Sequence, residues 1–161
     1  MIVRSTVGQG TTFTVFLPPA TATTADVAPA TPPLARGRDQ LILLVEDEES
    51  VRDAITAMLQ HLGYRVLGAA SGREALDIFA RPDVHPDLVL TDVVMPDLDG
   101  EGLCAQLRLL SPDVKIVAMS GYPLGSRGAG LLELGAVAWV QKPMAIEQLA
   151  QVVAGVIGGE K

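Results

Sequence analysis

The chain has 161 residues, 48% hydrophobic and 19% charged, enough for one globular domain with a proper core and some length to spare. A formal net charge of −7 argues against a nucleic-acid footprint, which calls for a basic face. No apolar run approaches the ~20 residues of a membrane span, the N-terminus lacks the layout of a signal peptide, and the single cysteine, Cys104, excludes an internal disulfide, so the segment reads as cytoplasmic.

Residues 1–17 alternate polar and apolar around VGQGTTFTVFL, which predicts one or two strands with a turn at Gly8-Gln9-Gly10. Residues 18–39 are rich in Pro, Ala and Thr and hold five of the 11 prolines, so a semi-extended flexible linker is expected there. From Leu41 the texture changes. LILLV (41–45) is a strand apolar on both faces. Val51, Ile55, Met58, Leu59 and Leu62 then recur at helical spacing from Ser50 to Leu62, and Gly63 ends the run. A second strand (64–69) and helix (73–80) follow, then a third strand (87–92) and helix (101–110) stopped by Ser111-Pro112. A fourth strand (115–120) leads into a glycine-rich stretch, Gly121 to Leu134. A fifth strand (136–141) and an amphipathic helix (145–157) close the series.

Five repeats of strand then helix imply a parallel sheet with helices on both faces. Right-handed crossovers put every strand's C-terminal end on one edge, where ligands of open sheets bind. The residues at those ends are Glu46 and Asp47, Asp92, Ser120 and Lys142. Clustered carboxylates with no Cys or His beside them form a hard-oxygen site, suited to Mg²⁺ or Mn²⁺ and not to zinc. A carboxylate beside such a cation is also a competent nucleophile toward phosphorus. Phosphoryl transfer asks mainly for positioning and charge neutralisation. Glu48 and Glu49 fit a plainer role, opening a helix where acids favour the N-terminal dipole, and Asp99 is a candidate N-cap.

These residues lie in motifs that resemble the receiver domain of bacterial two-component response regulators. LLVEDEE, LVLTDVVMPDLDG, AMSGY and WVQKP carry the likeness, in order, within residues 40–158. It implies a flavodoxin-like (βα)5 three-layer sandwich with strand order 2-1-3-4-5. It also implies that Asp92 accepts a phosphoryl group from the phosphohistidine of a histidine kinase or its phosphotransfer domain. Glu46, Asp47, Asp92 and the Val94 carbonyl would then hold Mg²⁺, and Ser120 and Lys142 would contact the phosphoryl group. The Lys142-Pro143 bond is typically cis in the family. Ser120 and Trp139 fall at its switch positions, which couple the site to a face made by the fourth helix, fifth strand and fifth helix, where a downstream protein docks. Val94 and Tyr122 fall where the family tunes dephosphorylation, and their bulk implies a long-lived phosphoryl group. Gly125, Gly128 and Gly130 predict a short or frayed fourth helix.

VGQGTTFTVFLPP resembles the last strands of the ATP-binding domain of sensor histidine kinases. Followed by a linker and a receiver, it implies the tail of a hybrid kinase whose parent protein is membrane-attached or soluble. Residues 1–17 alone cannot bind ATP and are expected to be poorly ordered or loosely paired. The module is expected to be a phosphoacceptor that catalyses its own phosphorylation and dephosphorylation, not an enzyme, with no contact to nucleic acid or membrane. Two alternatives stand beside this reading. One is a receiver that only docks partners. The other is an aspartyl-phosphate phosphatase or phosphotransferase, which would want an aspartate where Val94 stands.

Overall fold

The structure, a computed structural model, describes residues 2–16, 34–121, 133 and 135–159. The chain divides into two units, residues 1–32 and 33–161. In the first, β1 (Ile2–Thr6) and β2 (Gly10–Thr14) form an antiparallel hairpin in the register Val3↔Phe13 and Ser5↔Thr11. Gly8 and Gly10 take φ of 80° and 97°, the left-handed region that lets the chain reverse. Poor order or loose pairing was the expectation for this segment. The described strands instead pair with each other, every residue exposed, with Ser5 Oγ and Thr11 Oγ1 2.8 Å apart. Alternating β-branched residues around a turn with two glycines favour that pairing.

The second unit contains β3 (Leu41–Val45), α1 (Glu49–His61), β4 (Arg65–Ala69), α2 (Gly72–Phe79) and β5 (Leu88–Asp92). It continues with α3 (Gly100–Leu110), β6 (Ile116–Ser120), β7 (Ala138–Gln141) and α4 (Ile146–Gly158). Five parallel strands lie in the order β4-β3-β5-β6-β7. In receiver-segment numbering this is 2-1-3-4-5, the flavodoxin-like arrangement read from the sequence. Each predicted element in the described residues forms within two residues of its expected ends. The expected frayed helix with Gly125, Gly128 and Gly130 lies outside the described residues.

Strand alternation sorts the core into two layers. Ile42, Leu44, Leu88, Leu90, Val117 and Met119 face α1 and α4, against Ile55, Leu59, Leu149 and Val153. Leu43, Val45, Val89 and Ile116 face α2 and α3, against Ala75, Ile78, Leu103 and Leu107. Local signals set the helix starts. Ser71 Oγ accepts from Glu74 N at 3.2 Å, and Asp99 Oδ1 accepts from Gly102 N at 2.8 Å, each an N-cap.

The expected linker boundary at residue 39 shifts. Gly37 N donates to Leu62 O at 2.8 Å and Asp39 N to Gly63 O at 3.1 Å, while Leu34 packs on the α1–α4 core layer. Residues 34–39 are therefore a strap of the second unit. Gly37 is needed there because a Cβ would run into the Tyr64 ring, 2.5 Å from its Cδ1.

Candidate functional site

The parallel sheet is built outward from β3, with β4 added on one side and β5, β6 and β7 on the other, so the strand order reverses between β3 and β5. Glu46 and Asp47 follow the last residue of β3, and Asp92 is the last residue of β5. Glu46 (1% exposed) and Asp92 (6%) are buried, whereas Asp47 is exposed. One carboxylate oxygen from each of the three lies within 4.8 Å of the others.

The offset to this repulsion comes from β7. Lys142, one residue past the strand, places Nζ 2.7 Å from Asp92 Oδ2 and 2.8 Å from Glu46 Oε2. Its backbone N donates to Ser120 O at 2.7 Å, which ties the ends of β6 and β7 together, and the Lys142-Pro143 bond is cis. Burial alone would lower the Lys142 ammonium. Hydrogen bonds and charge from Asp92 and Glu46 outweigh it, and the group sits above its ordinary value. Burial dominates at Glu46, where Asp92 and Asp47 add to it, and the carboxyl is raised despite Lys142.

Of the residues anticipated from sequence, Glu46, Asp47, Asp92, Lys142 and Ser120 meet at this edge. Ser120 is 2% exposed. Val94 N donates to Asp92 Oδ1 at 3.2 Å, fixing the second carboxylate oxygen, and the Val94 side chain stands 58% exposed beside it. Trp139 does not join the cluster. It sits on the edge strand β7, opposite Ala118 and 40% exposed. Tyr122 lies outside the described residues.

Three supporting groups were not anticipated. Arg52 Nη1 donates to Glu46 O at 2.8 Å, beneath the acidic turn. Thr91 Oγ1 donates to Asp92 O at 2.9 Å. Gly100 packs so closely on the Asp92 carbonyl that a Cβ there would collide with it. Only the glycine could have been flagged from sequence, as a possible close approach at a helix start.

The donor set can be tested for a divalent cation. Three carboxylates facing one ammonium leave two formal negative charges in excess. All the donors are oxygens, and among the described residues no His or Cys joins the group. Mg²⁺ usually takes one or two carboxylates and keeps several waters, so the exposed Asp47 side of the cluster suits it.

The sequence model of the response regulator receiver domain matches residues 42–154. A sensor kinase, CckA of Brucella abortus (strain 2308), is 39% identical over 92% of this chain and 17% of its own length. A probable transcriptional regulator, ycf27 of Porphyridium aerugineum, is 43% identical over 67% of this chain and 44% of its own length. The chain thus spans less than half of either curated relative. Among solved structures, the receiver domain of sensor histidine kinase PA1611 from Pseudomonas aeruginosa PAO1, with a magnesium ion in its active-site cleft, is 32% identical. It superposes with a TM-score of 0.69 over 75% of this chain and 99% of that one. With its acidic edge, its bridging lysine and a family match over most of its length, the chain belongs to the response regulator receiver domain family.

Proposed function

We propose that residues 40–158 are a phosphoacceptor module of a phosphorelay, with Asp92 the residue that takes the phosphoryl group. The donor is the phosphohistidine of a histidine kinase or of its phosphotransfer domain. The observation that carries this reading is the Lys142 ammonium held between Asp92 Oδ2 and Glu46 Oε2. It holds the buried Asp92 carboxylate in place where a phosphoryl donor enters.

In the transfer, an Asp92 carboxylate oxygen attacks phosphorus. The new O–P bond forms as the P–N bond breaks, and the imidazole leaves with the electron pair on nitrogen. Lys142 then shifts a hydrogen bond from the carboxylate to a phosphoryl oxygen, and the Ser120 hydroxyl donates to another. Glu46, Asp47, Asp92 and the Val94 carbonyl would hold Mg²⁺, or Mn²⁺ in its place, and the bound ion would supply charge neutralisation for the transferred group. Phosphorylation and hydrolysis are catalysed by the module on itself, so it is not an enzyme with a separate substrate. Ser120 and Trp139 relay the state to the face made by the fourth predicted helix, β7 and α4, where a downstream protein binds. Val94 and Tyr122 shield the phosphoryl group and lengthen its life.

Residues 1–17 are read as the end of a kinase ATP-binding domain, joined through the Pro/Ala/Thr segment to the receiver. The 92% coverage by the sensor-kinase relative supports this, because it extends into residues before 40. A cytoplasmic place for the module follows from that reading. No described helix is long and apolar enough to cross a membrane.

The test is intact mass after incubation with Mg²⁺ and acetyl phosphate, wild type beside Asp92→Asn. One added phosphoryl group, lost in the variant and lost without Mg²⁺, is the expected result. An adduct on both proteins would move the acceptor elsewhere, and none on either, even with a histidine phosphotransfer donor, would leave a docking-only module.

A further inference from the structure

Resting on that reading of the acidic edge, we infer that Arg52 is a positioning residue for the cation site, acting through the main chain of Glu46 and Asp47. Only residues 46–48 separate β3 from α1, and the two first-named acids must both point at the site from this short turn. The Glu46 peptide is held on both sides. Its N–H donates to Ala69 O on β4 at 3.1 Å, and its carbonyl accepts from Arg52 Nη1 at 2.8 Å. The same Nη1 stands 3.5 Å from Asp47 O, at the long limit of a hydrogen bond. Asp47 is exposed.

Arg52 is built to hold that post. It closes the first turn of α1, its own N–H donating to Glu48 O at 2.9 Å, so the helix that starts from the acidic turn reaches back to brace it. Its half-buried stem runs over Gly68 of β4, where a Cβ would come within 3.4 Å of Arg52 Cδ. A planar guanidinium confined in this way delivers a donor in a fixed direction, which a lysine on a free stem does not. The guanidinium spends its hydrogen bonds on carbonyls, and no bond from it to the three carboxylates is formed among the described residues. Charge and geometry therefore oppose each other. A positive group near the site disfavours a second cation, whereas an ordered turn favours it. The geometry should win, because groups that orient metal ligands typically carry about 10–100-fold in affinity.

The experiment is Mg²⁺ titration of the full chain by calorimetry for wild type, Arg52→Lys and Arg52→Gln, with thermal unfolding in Mg²⁺-free buffer alongside. Arg52→Gln is expected to bind about 10-fold more weakly than wild type. Arg52→Lys should fall between, since it keeps the charge and loses the fork. If Arg52 were merely structural, the Mg²⁺-free midpoint would drop in both variants and the affinity of the folded protein would stay within about two-fold, and that result overturns the inference. Tighter binding by Arg52→Gln would overturn it too, in favour of a purely electrostatic role. Absence of Mg²⁺ binding to wild type would instead refute the phosphoacceptor reading beneath it, so the two failures are distinct.

Discussion

Lys142 Nζ lies 2.7 Å from Asp92 Oδ2, although the two residues are 50 positions apart in the chain. The contact explains how LILLV can run straight into four acids although the nearest base in sequence, Arg52, reaches only main-chain carbonyls and a base for the carboxylates must come from elsewhere. The base arrives from the far side of the sheet, at the end of β7, and bridges Asp92 to Glu46 as well. Parallel topology makes this possible, because it brings all the strand ends to one edge.

Replacing Lys142 with Met should expose how much of the fold leans on that bridge. Removing one partner of a buried ion pair costs about 3–5 kcal/mol. The Lys142 side chain keeps 19% of its exposure, so screening reduces the figure to about 2 kcal/mol. Urea unfolding without Mg²⁺ measures it. A Lys142→Met protein as stable as wild type would mean that the bridge is energetically neutral and serves the chemistry alone.

Both perturbed groups of the site bind their protons more tightly in the fold than in the open chain. Glu46 is raised from 4.5 by burial, and Lys142 is raised from 10.5 because its two carboxylate partners outweigh burial. A raised pKa contributes stability that is complete below the unfolded value and is lost as pH climbs through the folded one. These two groups each contribute a downward step in stability with rising pH, one starting near 4.5 and one starting near 10.5. Unfolding free energies over a pH series in Mg²⁺-free buffer should show the acid-side step in wild type and not in Glu46→Gln. The alkaline loss should be smaller in Lys142→Met, where only the parts from the buried Cys104 thiol and Tyr64 phenol, both also raised by burial, remain. A step of unchanged size in either variant would assign it to other groups.

Cys104 gives a probe of opening in the α2–α3 layer. Its thiol is fully buried in that layer, and burial pushes it up to about 11. The thiolate is the reactive form, so the folded protein at pH 8 should resist alkylation and react once denatured. Labelling followed by mass should proceed at the rate of unfolding. Fast labelling of the native protein would place α3 in frequent local opening.

Much of this architecture was legible because its signals are local or periodic. Apolar spacing gave α1 and α4, Asp99 marked a helix start, and short aliphatic runs gave β3, β5 and β6. The site was legible for one further reason, that chemistry-bearing residues stood at consecutive strand ends. Main-chain contacts stayed hidden. Nothing in the side chains of residues 34–39 announces that Gly37 and Asp39 bond to the loop after α1, so a Pro-rich approach and a bonded strap look alike. Arg52 likewise reads as a polar helix position, since carbonyls leave no trace in a sequence.

Gly100 and Gly102 turn that lesson into a controlled comparison. Both lie in the first turn of α3, and alanine at either gains about 1 kcal/mol of intrinsic helix preference. Their surroundings differ. A Cβ on Gly100 would collide with the carbonyl oxygen of Asp92 and come within 2.8 Å of Val93 Cα, both rigid backbone. A Cβ on Gly102 would meet Leu98 Cδ1 at 2.8 Å, the far end of a side chain that can rotate away. Gly102→Ala should therefore be near neutral. Gly100→Ala should lose about 1–3 kcal/mol by overpacking and push α3 away from the main chain of Asp92. Its phosphorylation by acetyl phosphate should slow while that of Gly102→Ala does not. Denaturation midpoints and initial phosphorylation rates on the same two proteins decide it, and equal behaviour would show that the close approach at Gly100 relaxes without consequence for the acceptor.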